Sequence, residues 1–157
     1  MSTPPVSTVG LEMPDDFEYD SYEAVDSVIG PLRDKYQPQW SEYVTAWCAL
    51  AYRFCAFEEY DESFTRSITT PGGDAPQPSE RWQQERDLFG FFVTGLSLIE
   101  HTCYGLYAIA SMLDEPSFPI KTPKDKKNIT PPNTAKRSRK TFPKEDISRD
   151  LDNRPRH

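Results

Sequence analysis

Apolar residues recur at helical spacing in three stretches of the chain, and each stretch is apolar over a wider arc than the last. In the first, Tyr22, Val25, Ile29, Leu32 and Tyr36 fall on one face, with Asp20 placed to cap and Glu23 three positions on. Gly30-Pro31 interrupts that face, and a proline inside a helical pattern kinks or splits it. The second, from Pro38 to Phe64, carries a stripe of Trp40, Tyr43, Val44, Trp47, Ala51, Phe54 and Cys55, widened by Leu50 and Phe57. Proline suits a first-turn position, and a stripe this wide packs against more than one neighbour. The third predicts a helix capped by Ser79 and running from Glu80 through Leu113, about 50 Å long at ~1.5 Å per residue. Its first two turns are polar and are expected to project beyond the core.

Within that third helix, Leu88 to Leu113 is a 26-residue run broken near its middle by Glu100-His101. About 20 apolar residues suffice to cross a bilayer, so a single span at 88–113 is one alternative. A carboxylate at mid-depth would cost on the order of 3 kcal/mol, and no basic cluster marks one side clearly. Membrane insertion is therefore not the expected state. A helix apolar all round is buried in a core or in an oligomer. A dimer through helices 38–64 and 80–113 would supply the burial.

The remaining segments read as loops and tails. Pro71-Gly72-Gly73 and two further prolines make Arg66 to Pro78 a connection. Residues 1–19 are polar, acidic and proline-containing, and are expected to be disordered. Residues 121–157 are expected to form a basic, proline-containing tail, extended or disordered, with Ser117-Phe118-Pro119-Ile120 able to dock back. Phe142, Ile147 and Leu151 hint at a further helix after Pro143, as in a truncated form of a longer helical protein. This leaves one helical domain at 20–120. The expected fold class is all-α: an antiparallel helical hairpin or bundle, a short N-terminal helix and disordered termini.

Charge divides along the same line. Residues 1–113 carry a net −12 and residues 114–157 a net +5. An acidic body repels phosphate, which argues against nucleic-acid binding by the domain itself. The basic cluster Lys136, Arg137, Arg139 and Lys140 could make a weak contact with nucleic acid or an acidic partner. The three cysteines, Cys48, Cys55 and Cys103, form no C-x-x-C and sit in apolar helical patterns, as free thiols of a cytoplasmic protein do. The N-terminus has neither a basic region nor an apolar stretch of secretory type.

Candidate chemistry is confined to Glu100 and His101. As a catalytic pair they would serve as acid/base and proton carrier, with Cys103 nearby. As structural residues each would be satisfied by a different neighbour: Glu100 by Arg53 or a hydroxyl, His101 by a backbone carbonyl or a tyrosine. Adjacent helical residues point about 100° apart, so the two cannot grip one ion as an i, i+4 pair does. His101 and His157 are the only histidines, which excludes a histidine-rich metal site, and no phosphate-binding, dinucleotide or hydrolase motif is present. No cofactor or metal is expected.

The order of the long segments, and FFVTGLSLIEHTCYGLYAIASML above all, resembles the HEPN-like all-helical domains of prokaryotic proteins over about residues 38–120. HEPN ribonucleases carry an arginine, four to six residues, then a histidine. Here Arg86 stands 15 positions before His101, and seven residues separate Arg149 from His157. No catalytic residue carries over. The resemblance implies a non-catalytic, dimeric helical module in a host-defence, mobile-element or toxin–antitoxin setting. The reading is thus a helical interaction or oligomerisation module; the alternatives are a HEPN-related nuclease-like protein with an atypical site at Glu100 and His101, or the small membrane protein.

Overall fold

The computed structural model describes residue 17 and residues 19–69 and 75–142, and every structural statement concerns these. The fold is all-helical. Helix α1 covers Tyr19–Ile29 and passes into a 3₁₀ turn at Gly30–Leu32. The break falls where Pro31 lacks the N–H that a continuing helix needs. Helix α2 then runs Gln37–Thr69 and helix α3 Pro78–Leu113, packed against each other as a long antiparallel hairpin.

Both hairpin helices are longer than their apolar stripes. The cap of α3 is Gln77, not Ser79. Pro78 sits at the first position, where no N–H is required, and the Glu80 carboxylate accepts the Gln77 N–H at 2.8 Å. Because α2 continues to Thr69, the polar first turns of α3 do not project free. Gln84 Nε2 reaches the Ser67 carbonyl of α2 at 3.3 Å.

Close packing along the hairpin depends on Gly90. A Cβ there would lie 2.5 Å from the Tyr60 ring, so only glycine lets that ring lie against the α3 backbone. One helical turn or so further on, the Phe57 and Phe91 rings stack at 4.3 Å. Towards the other end, Tyr22 of α1 sits edge-on to Trp47 at 4.7 Å and is buried with Ile29, Tyr43 and Ala108. Phe17, within the stretch expected to be unpacked, is buried edge-on against Phe54 at 5.3 Å. Residues 1–16 and Glu18 lie outside the described region.

The largest departure from expectation is at residues 121–142. The segment expected to be extended or disordered contains helix α4, Pro123–Lys127, and helix α5, Pro131–Thr141, so the helical body reaches Phe142 rather than ending at 120. Each helix begins with Thr-Pro. The Thr122 hydroxyl accepts the Asp125 N–H at 3.1 Å while the Asp125 carboxylate accepts the Thr122 N–H at 2.9 Å, and the Thr130 hydroxyl accepts the Asn133 N–H at 3.4 Å. A threonine cap followed by proline starts a helix whatever the charge of the segment. The docking expected of residues 117–120 is present. Phe118 is fully buried between Tyr107, edge-on at 5.2 Å, and Phe142, stacked at 5.9 Å, and the Tyr107 hydroxyl donates to the Pro119 carbonyl at 3.1 Å. The helix suggested after Pro143 lies outside the described residues.

Candidate functional site

Glu100 and His101 sit on α3 where α5 begins to cover it. The His101 Nδ1 lies 2.7 Å from the Ser97 carbonyl of its own helix. A carbonyl only accepts, so Nδ1 carries the hydrogen and Nε2 of the neutral ring is left as the acceptor. Glu100 is exposed and makes no hydrogen bond or ion pair among the described residues. Both line one cavity of about 260 Å³, together with Tyr104 and the Ile129–Pro131 segment that opens α5. The two thus share a surface; His101 has the backbone carbonyl expected of it, on its own helix, while Glu100 has neither Arg53 nor a hydroxyl as partner among the described residues.

The polar partner beside that cavity is already committed. The Tyr104 hydroxyl donates to Glu42 Oε2 at 2.7 Å, and Lys126 of α4 donates to Glu42 Oε1. Burial pushes the Glu42 carboxyl up, but the hydrogen bonds from Lys126 and Tyr104 outweigh it and hold it below its ordinary value. Burial and the Glu42 carboxylate both push the Tyr104 phenol up. Neither is poised to move a proton near neutral pH. The thiols fare no better: none of the three is in a disulfide among the described residues, all are half-buried, and burial raises Cys55 and Cys103. Among the described residues, no group of acidic, histidine or cysteine side chains could hold a metal ion.

One heavily bonded ionisable group is a residue the sequence did not single out. Asp87 is fully buried in the hairpin. Its carboxylate accepts from Ser63 Oγ at 2.6 Å, Gln83 Nε2 at 3.1 Å, and Arg86 through Nε at 3.0 Å and Nη2 at 2.7 Å. Burial pushes the carboxyl up, yet these hydrogen bonds and the Arg86 charge prevail and hold it below its ordinary value. Each carboxylate oxygen accepts two hydrogen bonds, and the one from Ser63 makes Asp87 a structural tie between α2 and α3.

The basic cluster is divided. Lys136, Arg137 and Lys140 border a recess of about 500 Å³ with Ser117, Asn128 and Asn133, while Arg139 faces outward. Arg137 also donates to the Ser117 carbonyl, which ties α5 to the loop after α3. This recess shares no lining residue with the Glu100–His101 cavity.

The dominant unexplained surface is the outer face of α3. Trp82, Phe89, Leu96 and Cys103 are seven residues apart, and Glu85, Phe92, Ile99 and Leu106 form a second series three residues behind the first. Phe89 is 71% exposed, Leu96 64%, Phe92 59% and Leu106 54%; only Cys103 of the eight is half-buried. Leu88 and Val93 flank the stripe and are also exposed. The inner side, by contrast, takes Asp87, Thr94, Gly105, Ala108 and Met112 into the fold. A 3-4-3-4 spacing drifts about 20° per heptad on a straight helix, which is the pattern of a seam for a second helix. The single span at 88–113 is set aside: among the described residues no helix is long and apolar enough to cross a membrane. Comparison with known proteins adds no relative, since no family model, curated protein or solved structure matches this chain.

Proposed function

We propose that the chain is a non-catalytic helical association module that docks through the outer face of α3. The single observation behind this reading is that eight positions in 3-4 spacing run along the outer side of α3, most of them large, apolar and exposed, with Leu106 at the edge bordering a cavity shared with α2. Scattered surface apolar residues need no explanation, but a contiguous, periodic stripe marks an interface. Nine large apolar side chains of α3 are exposed, each by between about two-fifths and three-quarters. At roughly 150–250 Å² for a large side chain, they present on the order of 800 Å², the scale one partner contributes to a specific interface.

The nuclease-like alternative draws on one observation, that Glu100 and His101 share a cavity. It lacks a cationic wall to meet a phosphate there, because the basic recess of α5 opens elsewhere and Lys126 is spent on Glu42. The association reading therefore leads.

Its test is site-specific photocross-linking in the native host. A benzophenone side chain at Leu96 is expected to give a discrete covalent adduct, and the same group at exposed Glu62 of α2 is expected to give none. Absence of an adduct at 96, or equal labelling at both positions, contradicts the proposal.

A further inference from the structure

We infer that the occupant of the α3 seam is a second copy of this chain, running antiparallel and centred between Phe92 and Leu96. The inference rests on the association reading above and adds the partner, its direction and its register.

The register follows from the seam itself. In an antiparallel pair the two heptad series face each other across the interface. With Phe92 opposite the partner's Leu96, Phe89 meets the partner's Ile99 and Trp82 meets the partner's Leu106. Glu85 then falls opposite the partner's Cys103, the one layer that is not wholly apolar. All four pairings are repeated by symmetry, so about 25 residues of each helix, roughly 37 Å, are in register.

Charge selects the same arrangement. Arg86 and Glu100 occupy the same flanking position of their heptads, and antiparallel pairing brings like flanking positions together. In this register Arg86 therefore meets the partner's Glu100, twice per dimer. Arg86 keeps 48% of its side chain exposed while holding Asp87, and Glu100 is exposed without a partner among the described residues. A parallel pair would instead set Arg81 beside the partner's Arg86 and stack two Glu85 carboxylates in one seam layer. Both are like-charge contacts, and such contacts reject an arrangement more firmly than good ones select it.

The shoulders of the fold agree. Val25 of α1 borders a cavity together with Leu106 and Ile109 of α3, and the start of α5 borders another with Glu100 and Tyr104. Both flank only the C-terminal half of the seam. Antiparallel pairing lays the narrower N-terminal half of one hairpin between the shoulders of the other; parallel pairing would set shoulder against shoulder.

The test combines a charge reversal with a directional cross-link, both read by sedimentation. Glu100→Arg breaks no hydrogen bond or ion pair among the described residues of the monomer, and retained helical circular dichroism and melting temperature check that the cavity it borders with Tyr104 and the start of α5 is undisturbed. The substitution is expected to raise the dimer Kd about tenfold at low salt, and less at 0.5 M salt. Glu85→Cys is expected to form an intermolecular disulfide under mild oxidation, and to lose it when Cys103 is also changed to Ser. Cross-linking of the wild-type chain through Cys103, or of Glu85→Cys without Cys103, would overturn the antiparallel register in favour of the parallel one. A wild-type chain that stays monomeric at 200 µM overturns the second copy as occupant. That failure is separate from the photocross-linking at position 96, which alone decides whether the face is an interface.

Discussion

Asp87 is a charged group with no exposed surface, and it is tolerated because four donor atoms from Ser63, Gln83 and Arg86 replace its water. Removing one partner from a buried, charge-assisted network costs more than the network contributes net. Asp87→Asn is therefore expected to lower stability by about 2–3 kcal/mol at pH 7 in urea titration. The pH dependence has a definite sign. A carboxyl held lower in the folded state stabilises above its unfolded value near 3.8, and that contribution is lost as pH falls through the folded value. The gap between wild type and Asp87→Asn should thus be full at pH 7 and close as pH drops below 4. A gap independent of pH would contradict an ionised Asp87.

The sequence pointed to a different charged pair for a reason that is itself physical. Glu100 stands inside an apolar run, and an apolar run suggests burial. Here the run is apolar on both sides of its helix, and Glu100 is on the outer one. Asp87 was missed because its main partner, Ser63, lies 24 residues away on the opposing helix. No local pattern announces such a bond; the neighbouring Arg86 was the only signal.

At the scale of elements, α1, α2 and α3 were legible because burial imprints a 3.6-residue rhythm on them. Helices α4 and α5 were not, because composition dominated the reading: lysines, prolines and few apolar residues look like a tail. Their signal was the repeated Thr-Pro followed two residues later by Asp125 or Asn133, a capping pattern that does not depend on hydrophobicity. Two aromatic rings then hold the segment to the hairpin. Phe118→Ala is expected to cost about 3–5 kcal/mol, seen as an earlier urea midpoint with helix content retained at zero denaturant. A cost under ~1 kcal/mol would mean that residues 115–142 do not pack on α3 as described.

The seam on α3 is also an element-scale feature, and the rhythm explains why it was only half seen. The exposed stripe repeats every 3.5 residues while the inner side follows its own spacing against α2. Overlaid in one sequence, the two patterns read as a helix that is apolar all round, from which a dimer was expected but no face could be assigned.

At the scale of the molecule, the charge division of the chain becomes an internal contact. Lys126 of the basic half bonds Glu42 of the acidic half, and Arg137 bonds the loop that leaves α3. The result is a hairpin dressed on its flanks by α1 and α5 and bare along the outer side of α3. Leu96 stands in the middle of that bare side and touches little of its own fold, so a charge there should change assembly and nothing else. The most direct measurement is sedimentation equilibrium of the wild-type chain and of Leu96→Glu at ~200 µM. The account predicts twice the chain mass of 18.0 kDa for the wild type and 18.0 kDa for Leu96→Glu, with identical helical circular dichroism. Equal masses for the two proteins would contradict it.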